Sequence, residues 1–163
     1  MSADSLNPTR IAIAEPSRKK LAQVLNHHLA DLLDLAGQLK NAHWNVRGPH
    51  FYSLHKAFEE IAGMIDEEVD DLAERITTLG GTAQGSTREV ARNTRLPDYP
   101  AKVQGLDLVA ALAEAVSLSA NALREDIETA EAAGDPGTAD LLTGLSQVLD
   151  KALWLLEAHT PSA

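Results

Sequence analysis

The chain contains no cysteine, which removes disulfides, thiolate metal sites and cysteine nucleophiles together. Aromatic residues are scarce, at 4% against 44% apolar residues overall, with alanine and leucine dominating. Such a mix suits helix packed on helix rather than a sheet. Long apolar runs are missing too: nothing approaches the roughly eighteen uninterrupted apolar residues of a membrane span. Nor does the N-terminus carry a basic patch followed by an apolar run, so a cytoplasmic protein without a membrane partner is the expectation. Positive charge is short as well. Fourteen basic against 24 acidic residues leave a net charge of −10 over 163 residues, a surface that repels nucleic acid and favours cations.

What is present is helical periodicity, over a length that fits one domain with a sizeable core. Residues 1–16, with Pro8 and Pro16, read as a flexible tail. From Ser17, a candidate cap, the positions Leu21, Leu25, His28, Leu29, Leu32, Ala36, Leu39 and His43 recur at steps of three and four. That spacing predicts a long amphipathic helix ending before Gly48-Pro49. Ser53 is the expected cap of a second helix to about Leu79, closed by Gly80-Gly81. Residues 82–104 form a long connection with room for a short helix near Arg88 to Asn93. A third helix is expected from about Leu106 to Ala133, stopped by Gly134-Asp135-Pro136, and a fourth from about Pro136 to Ala158, with 159–163 a short tail. Four long helices with a long crossover between the second and third describe an all-α, ferritin-like four-helix bundle spanning residues 17–158.

Histidine is concentrated in one place. Three of the six histidines stand in the stretch NAHWNVRGPHFYSLH, and two of them, His43 and His55, flank the Gly48-Pro49 break. His27 and His28 adjoin on the first helix as one packed and one exposed side chain; His50 lies in the turn and His159 near the C-terminus. On the second helix His55 and Glu59 are four apart, as are Asp70 and Glu74. At about 100° per residue all four share one stripe. Neutral imidazole with carboxylates is the ligand set expected for Fe(II), Mn(II) or Zn(II).

Plainer readings stand beside that one. The helix also carries Glu60, Asp66, Glu67, Glu68 and Asp71, as a solvated acidic face would, and His43 on an apolar face has the profile of a satisfied core histidine. Spacing adds a constraint: Glu59 and Asp70 lie roughly 16 Å apart along the axis, so no single ion is held by both pairs of one chain. The chain also has no Glu-x-x-His, the pair that an intrachain di-iron centre takes from each of two helices. One arrangement reconciles these facts. If two copies of the helix pack antiparallel across a twofold axis near Met64 and Ile65, the His55/Glu59 end of one meets the Asp70/Glu74 end of the other, and His43 joins His55.

The stretch His43-Trp44-Asn45-Val46-Arg47-Gly48-Pro49-His50-Phe51, then Leu54-His55, Asp70-Asp71-Leu72-Ala73-Glu74-Arg75 and Leu79-Gly80-Gly81 resembles the signature of the Dps family, the mini-ferritins named as DNA-binding proteins from starved cells. Gly134-Asp135, Thr138-Ala139-Asp140-Leu141-Leu142 and Asp150-Lys151-Ala152-Leu153-Trp154 resemble its last helix. The similarity runs over roughly residues 17–158. It implies a four-helix subunit, twelve of which form a hollow shell that oxidises Fe(II), usually with hydrogen peroxide or else oxygen, and stores the ferric product. No organic cofactor is implied. By the same resemblance the ferroxidase ligands fall on His43, His55, Asp70 and Glu74, shared between two subunits. Glu59 stands where the family usually has aspartate, with the same charge and a longer reach. Trp44 resembles the tryptophan beside the family's centre, where it would intercept oxidising equivalents; the alternative is that it simply packs. The acidic pores that admit iron in the family lie at the junction of the last two helices, where Glu131, Asp135 and Asp140 fall; the alternative is a solvated helix end with Asp135 at a favourable N-terminus.

A different class of function is DNA compaction in the nucleoid, with iron oxidation secondary. That activity draws on a lysine- or arginine-rich tail, because phosphate neutralisation drives non-specific binding. Residues 1–16 hold only Arg10 against Asp4 and Glu15, and nothing basic follows Glu157 except His159. Arg18, Lys19 and Lys20 belong to the helix start. DNA binding by the purified chain is expected to be weak or absent.

Overall fold

The computed structural model describes residues 5–159 and is helical throughout, with α1 Glu15–Asn45, α2 Phe51–Thr78, α3 Thr87–Asn93, α4 Gly105–Ala132 and α5 Pro136–Glu157. Helices α1 and α2 pack along each other, as do α4 and α5; α1 also meets α4 and α2 meets α5, which closes a four-helix bundle. The core is almost entirely aliphatic, with Leu21, Leu25, Leu35, Leu39, Leu72, Leu112, Leu123, Leu142 and Leu156 inaccessible and Phe58 its one fully buried aromatic ring. The expected ferritin-like bundle is therefore the observed fold. Among the described residues, helix α4 alone is long and apolar enough, by length and composition, to cross a membrane. Here its apolar face is spent on α5 and α1, as in the core helix of a bundle.

Helix periodicity gave the right elements, but two of the expected caps are not caps. Helix α1 begins at Glu15, two residues ahead of Ser17, with Pro16 in its first turn, where a missing N–H removes no intrahelical bond. Helix α2 begins at Phe51, so Ser53 sits inside the first turn and its hydroxyl donates to His50 O at 3.0 Å. The short α3 has a true capping box: Ser86 Oγ lies 2.6 Å from Glu89 Oε2, which also accepts from Ser86 N at 3.2 Å.

Residues 5–14 were expected to belong to a flexible tail; instead they lie along the bundle. Leu6 and Ile13 pack against the core. Asn7 N donates to Gly80 O at 2.7 Å. The buried Arg18 donates from Nη1 to Leu79 O at 2.8 Å and from Nε to Ile13 O at 3.1 Å. A guanidinium thus satisfies the carbonyl left over at the end of α2 and ties the segment to it. Three further polar contacts hold the crossover to α1: Arg95 clasps Asp31 (Nη2 to Oδ2 2.6 Å), Thr94 Oγ1 donates to Asp34 at 2.7 Å and Gln38 donates to Pro97 O at 2.9 Å. His28 is fully buried, bonded through Nε2 to Asp126 at 2.9 Å and through Nδ1 to Arg95 at 3.1 Å, while its neighbour His27 is exposed.

Gly80 concentrates these constraints. Its φ is +90°, a conformation that side chains resist, and a Cβ there would sit 2.5 Å from Asn7 O. Gly80→Ala is expected to destabilise the fold by about 2 kcal/mol and to release the N-terminal segment. Urea denaturation would measure the first effect and faster proteolytic cleavage within residues 5–14 the second.

Candidate metal centre

The hairpin between α1 and α2 positions both histidines. Gly48 adopts φ +105°, which lets the chain reverse after Val46, a buried residue that anchors the end of α1. The last carbonyls of a helix have no intrahelical donor. That of His43 finds one in His55, whose Nδ1 donates to it at 2.8 Å. The favour is returned: His43 Nδ1 donates to His55 O at 2.7 Å. Since a carbonyl can only accept, both Nδ1 atoms carry hydrogen, and both Nε2 atoms are left with a lone pair in the neutral rings. This is the tautomer a metal ligand needs, fixed by the other ring nitrogen. Of the two readings of His43, the satisfied core histidine and the ligand, the geometry combines both: the ring is buried, satisfied at Nδ1 and open at Nε2.

The two rings stack with centroids 3.8 Å apart and planes inclined by 18°, and Phe51 stacks on His55 with centroids 5.3 Å apart. An ion bound in line with an imidazole lone pair lies in that ring's plane. Planes so nearly parallel meet only far beyond a coordinate bond of roughly 2 Å, so the two rings are not arranged to converge on one ion and any ion bound to each would occupy its own position. Glu59 reaches the same place. Its Oε1 lies 3.9 Å from His43 Nε2 and 3.3 Å from Lys40 Nζ. The hydrogen bond from Lys40 holds the Glu59 carboxyl below the usual range, so it is an anion at neutral pH. Lys40 went unremarked in the sequence, although it precedes His43 by three residues and so shares its helix face.

Asp70 and Glu74 are exposed further along α2, and their carboxylates accept no hydrogen bond among the described residues. No group of three His, Asp or Glu side chains lies close enough together to hold one ion among the described residues. The fold therefore brings His43, His55 and Glu59 together and leaves Asp70 and Glu74 at the other end of the helix. Trp44 is 70% exposed, as are, to 45% and 70%, Phe51 and Tyr52 at the start of α2.

The three acids at the α4–α5 junction separate. Glu131 and Asp140 are exposed. Asp135 is 2% exposed and caps α5, accepting from Thr138 N at 3.1 Å and from Thr138 Oγ1 at 2.5 Å. Arg75 of α2 grips both of its oxygens, at 2.6 and 2.8 Å. A cation could reach this carboxylate only by breaking that clasp.

Several known proteins share this arrangement of helices. The family model for the ferritin-like domain matches residues 22–161. The DNA protection during starvation protein of Agrobacterium fabrum is 40% identical over 93% of this chain and 94% of its own length. DNA protection during starvation protein 2 of Bacillus anthracis is 31% identical over 86% of this chain and 96% of its own. Among solved structures, DpsC from Streptomyces coelicolor superposes with a TM-score of 0.91 at 32% identity, covering 98% of this chain and 96% of that one. The DPS protein from Vibrio cholerae O1, described as a member of a broad superfamily of ferritin-like diiron-carboxylate proteins, gives 0.87 at 28% identity, covering 94% and 97%.

The Asp135 clasp has a pH signature. Burial works against the charge on Asp135, but hydrogen bonds from Thr138 and Arg75 outweigh it and hold the carboxyl below its ordinary value. A depressed folded pKa gives stability that is fully present above the unfolded value of about 4 and is lost as pH falls through the folded value. Asp135→Asn is therefore expected to cost about 2 kcal/mol at neutral pH, with Arg75's residual contact with water keeping the loss low for such a pair. The two proteins should converge as pH falls through that lowered folded value. Urea midpoints measured from pH 7 to pH 2.5 would show a constant offset instead if the carboxylate contributed nothing through its charge.

Proposed function

This chain belongs to the Dps family of ferritin-like proteins, and from that premise we propose that it is an iron-storage and detoxification mini-ferritin. It oxidises Fe(II) with hydrogen peroxide or oxygen at centres shared between two copies of the chain, and it holds the ferric product within a hollow dodecameric shell in the cytoplasm. One observation carries the reading: the reciprocal His43–His55 bonds leave two Nε2 lone pairs facing two neighbouring positions, with the Glu59 carboxylate beside one of them. Imidazole and carboxylate together suit Fe(II). The remaining ligands, Asp70 and Glu74, come from the partner copy, because in the same chain they lie roughly 16 and 22 Å beyond Glu59 along the helix.

Two adjacent Fe(II) ions make the oxidation safe. Each gives one electron, so the O–O bond of one peroxide breaks with both electrons supplied and, with two protons, leaves as two waters. A single ferrous ion would supply one electron and release a hydroxyl radical. Trp44, exposed beside His43, is placed to intercept an oxidising equivalent that escapes. Glu131 and Asp140 line the route by which Fe(II) enters, drawn inward by their charge, and Asp135 holds that turn in shape through Arg75.

Sharing of the centre has a quantitative consequence. One variant lacks His43 and His55 (both to Ala), the other Asp70 and Glu74, and each alone should be nearly inactive. Unfolded together and refolded, half the twofold pairs are mixed and half of their sites are whole, so about a quarter of the ferroxidase activity should return. Mixed pairs that form by mass yet stay inactive would refute the shared centre.

The relatives' names raise DNA. With a net charge of −10 and residues 5–14 lying along the bundle rather than free, the purified protein is expected not to retard duplex DNA at neutral pH and moderate salt. Tight retardation that weakens steeply with added salt would instead assign phosphate contacts to Lys19 and Lys20 clustered by assembly; the third basic residue expected there, Arg18, is buried and bonded to backbone carbonyls.

A further inference from the structure

Among the described residues, Lys40 is the one lysine or arginine paired with His43, His55, Glu59, Asp70 or Glu74. Its Nζ lies 3.3 Å from Glu59 Oε1, the same oxygen that stands 3.9 Å from His43 Nε2. Because His43 Nδ1 is committed to His55 O, Nε2 is the only nitrogen of that ring able to bind an ion. An ion shared by His43 and Glu59 must approach the oxygen that Lys40 now holds. The pair is shallow, with side chains 37% and 46% exposed, so its attraction is weakened by water and it can be displaced. Glu59 also has one more methylene than aspartate, and the extra torsion lets its carboxylate move between two partners.

We infer that Lys40 is a place-holding cation: in the metal-free chain its ammonium keeps the Glu59 carboxylate beside His43, and an arriving divalent cation must displace it to fill that position. This rests on the metal-centre reading above and deepens it. Lys40 does not touch the reacting atoms; it is a positioning residue that sets the Fe(II) level at which the second position fills. Exchange of one cation for another also keeps a positive charge beside Glu59 throughout. Lys40 leaves toward solvent on its own flexible stem, and no backbone movement is required.

The test is an anaerobic titration of the assembled protein with Co(II), a redox-inert stand-in for Fe(II), followed by its visible absorption and by calorimetry. Glu59→Gln identifies the position that depends on Glu59 by weakening it. Lys40→Met should tighten that position roughly two- to fivefold, the worth of an exposed ion pair, and Lys40→Arg should restore wild-type affinity because it keeps the charge. Placed on Glu59→Gln, Lys40→Met should bring no gain, since the competing partner is gone. Binding to Lys40→Met that is unchanged or weaker, or an equal gain in the Glu59→Gln background, overturns the inference while leaving the metal centre in place. If the wild type takes up neither Co(II) nor Fe(II), or if its binding survives loss of His43 and His55, the metal-centre reading falls and this inference falls with it.

Discussion

The reciprocal pair of hydrogen bonds between His43 and His55 is the interaction on which the rest of the centre depends. Two backbone carbonyls and two ring nitrogens satisfy one another across the α1–α2 hairpin. The same two bonds close the turn, choose the tautomer and stack the rings. A ligand whose orientation is set by its own side-chain torsions alone would wander among rotamers. Here the position of each Nε2 is tied to the other residue's backbone, so the geometry of the donors is as rigid as the hairpin. That rigidity traces back to Gly48, whose positive φ permits the reversal, and to Val46, whose burial fixes where α1 stops.

The fold was legible because its signal is periodic and local. Leu21, Leu25, Leu29, Leu32 and Leu39 mark one face of α1 by their spacing, and every one of them is buried. The short α3 could be placed because it too is local, and Ser86 and Glu89 supply its start. What could not be read depends on distant partners. The docking of residues 5–14 relies on Arg18 reaching a carbonyl 61 residues away, and nothing near residue 10 announces it. Asp135 looked like a pore acid or a helix-start residue; the second reading describes its hydrogen bonds, but its partner Arg75 stands 60 residues earlier. Ser17 and Ser53 misled because cap preference ranks residue types and leaves the starting point of the helix open, which Pro16 and the Gly48 turn decide instead.

At the candidate centre, spacing carried one kind of information and geometry another. The stripe shared by His55, Glu59, Asp70 and Glu74 and its axial gap follow from helix parameters alone. The stacking of the imidazoles, and with it the case for two ions rather than one, required the hairpin's closed form. Lys40 shows the limit of reading by residue type. A lysine one turn before a histidine on an amphipathic helix looks like any solvated cation, and only the distance to Glu59 gives it a role.

Under the proposed function, helix α2 divides the ligand set so that neither end is complete. The histidine end carries lone pairs, an anion and the exposed rings of Trp44, Phe51 and Tyr52; the acidic end carries two carboxylates without hydrogen-bond donors among the described residues. Like charges four apart on a helix repel one another, so Asp70 and Glu74 gain from any cation brought between them. Exposed aromatic surface gains from being covered. Both deficits are relieved by one event, the antiparallel pairing of two α2 helices, so under the proposed function the oxidation chemistry is conditional on assembly. The next residue after Glu74 extends that dependence. Arg75 points its guanidinium at Asp135 in the α4–α5 turn, so the backbone that under the proposed function would present Glu74 to the partner's histidines is anchored to the turn flanked by Glu131 and Asp140. A shift of that turn would be felt at Glu74 through a single side chain, whereas the histidine end is held by the α1–α2 hairpin and by Gln104, which accepts from Arg47 N at 3.0 Å.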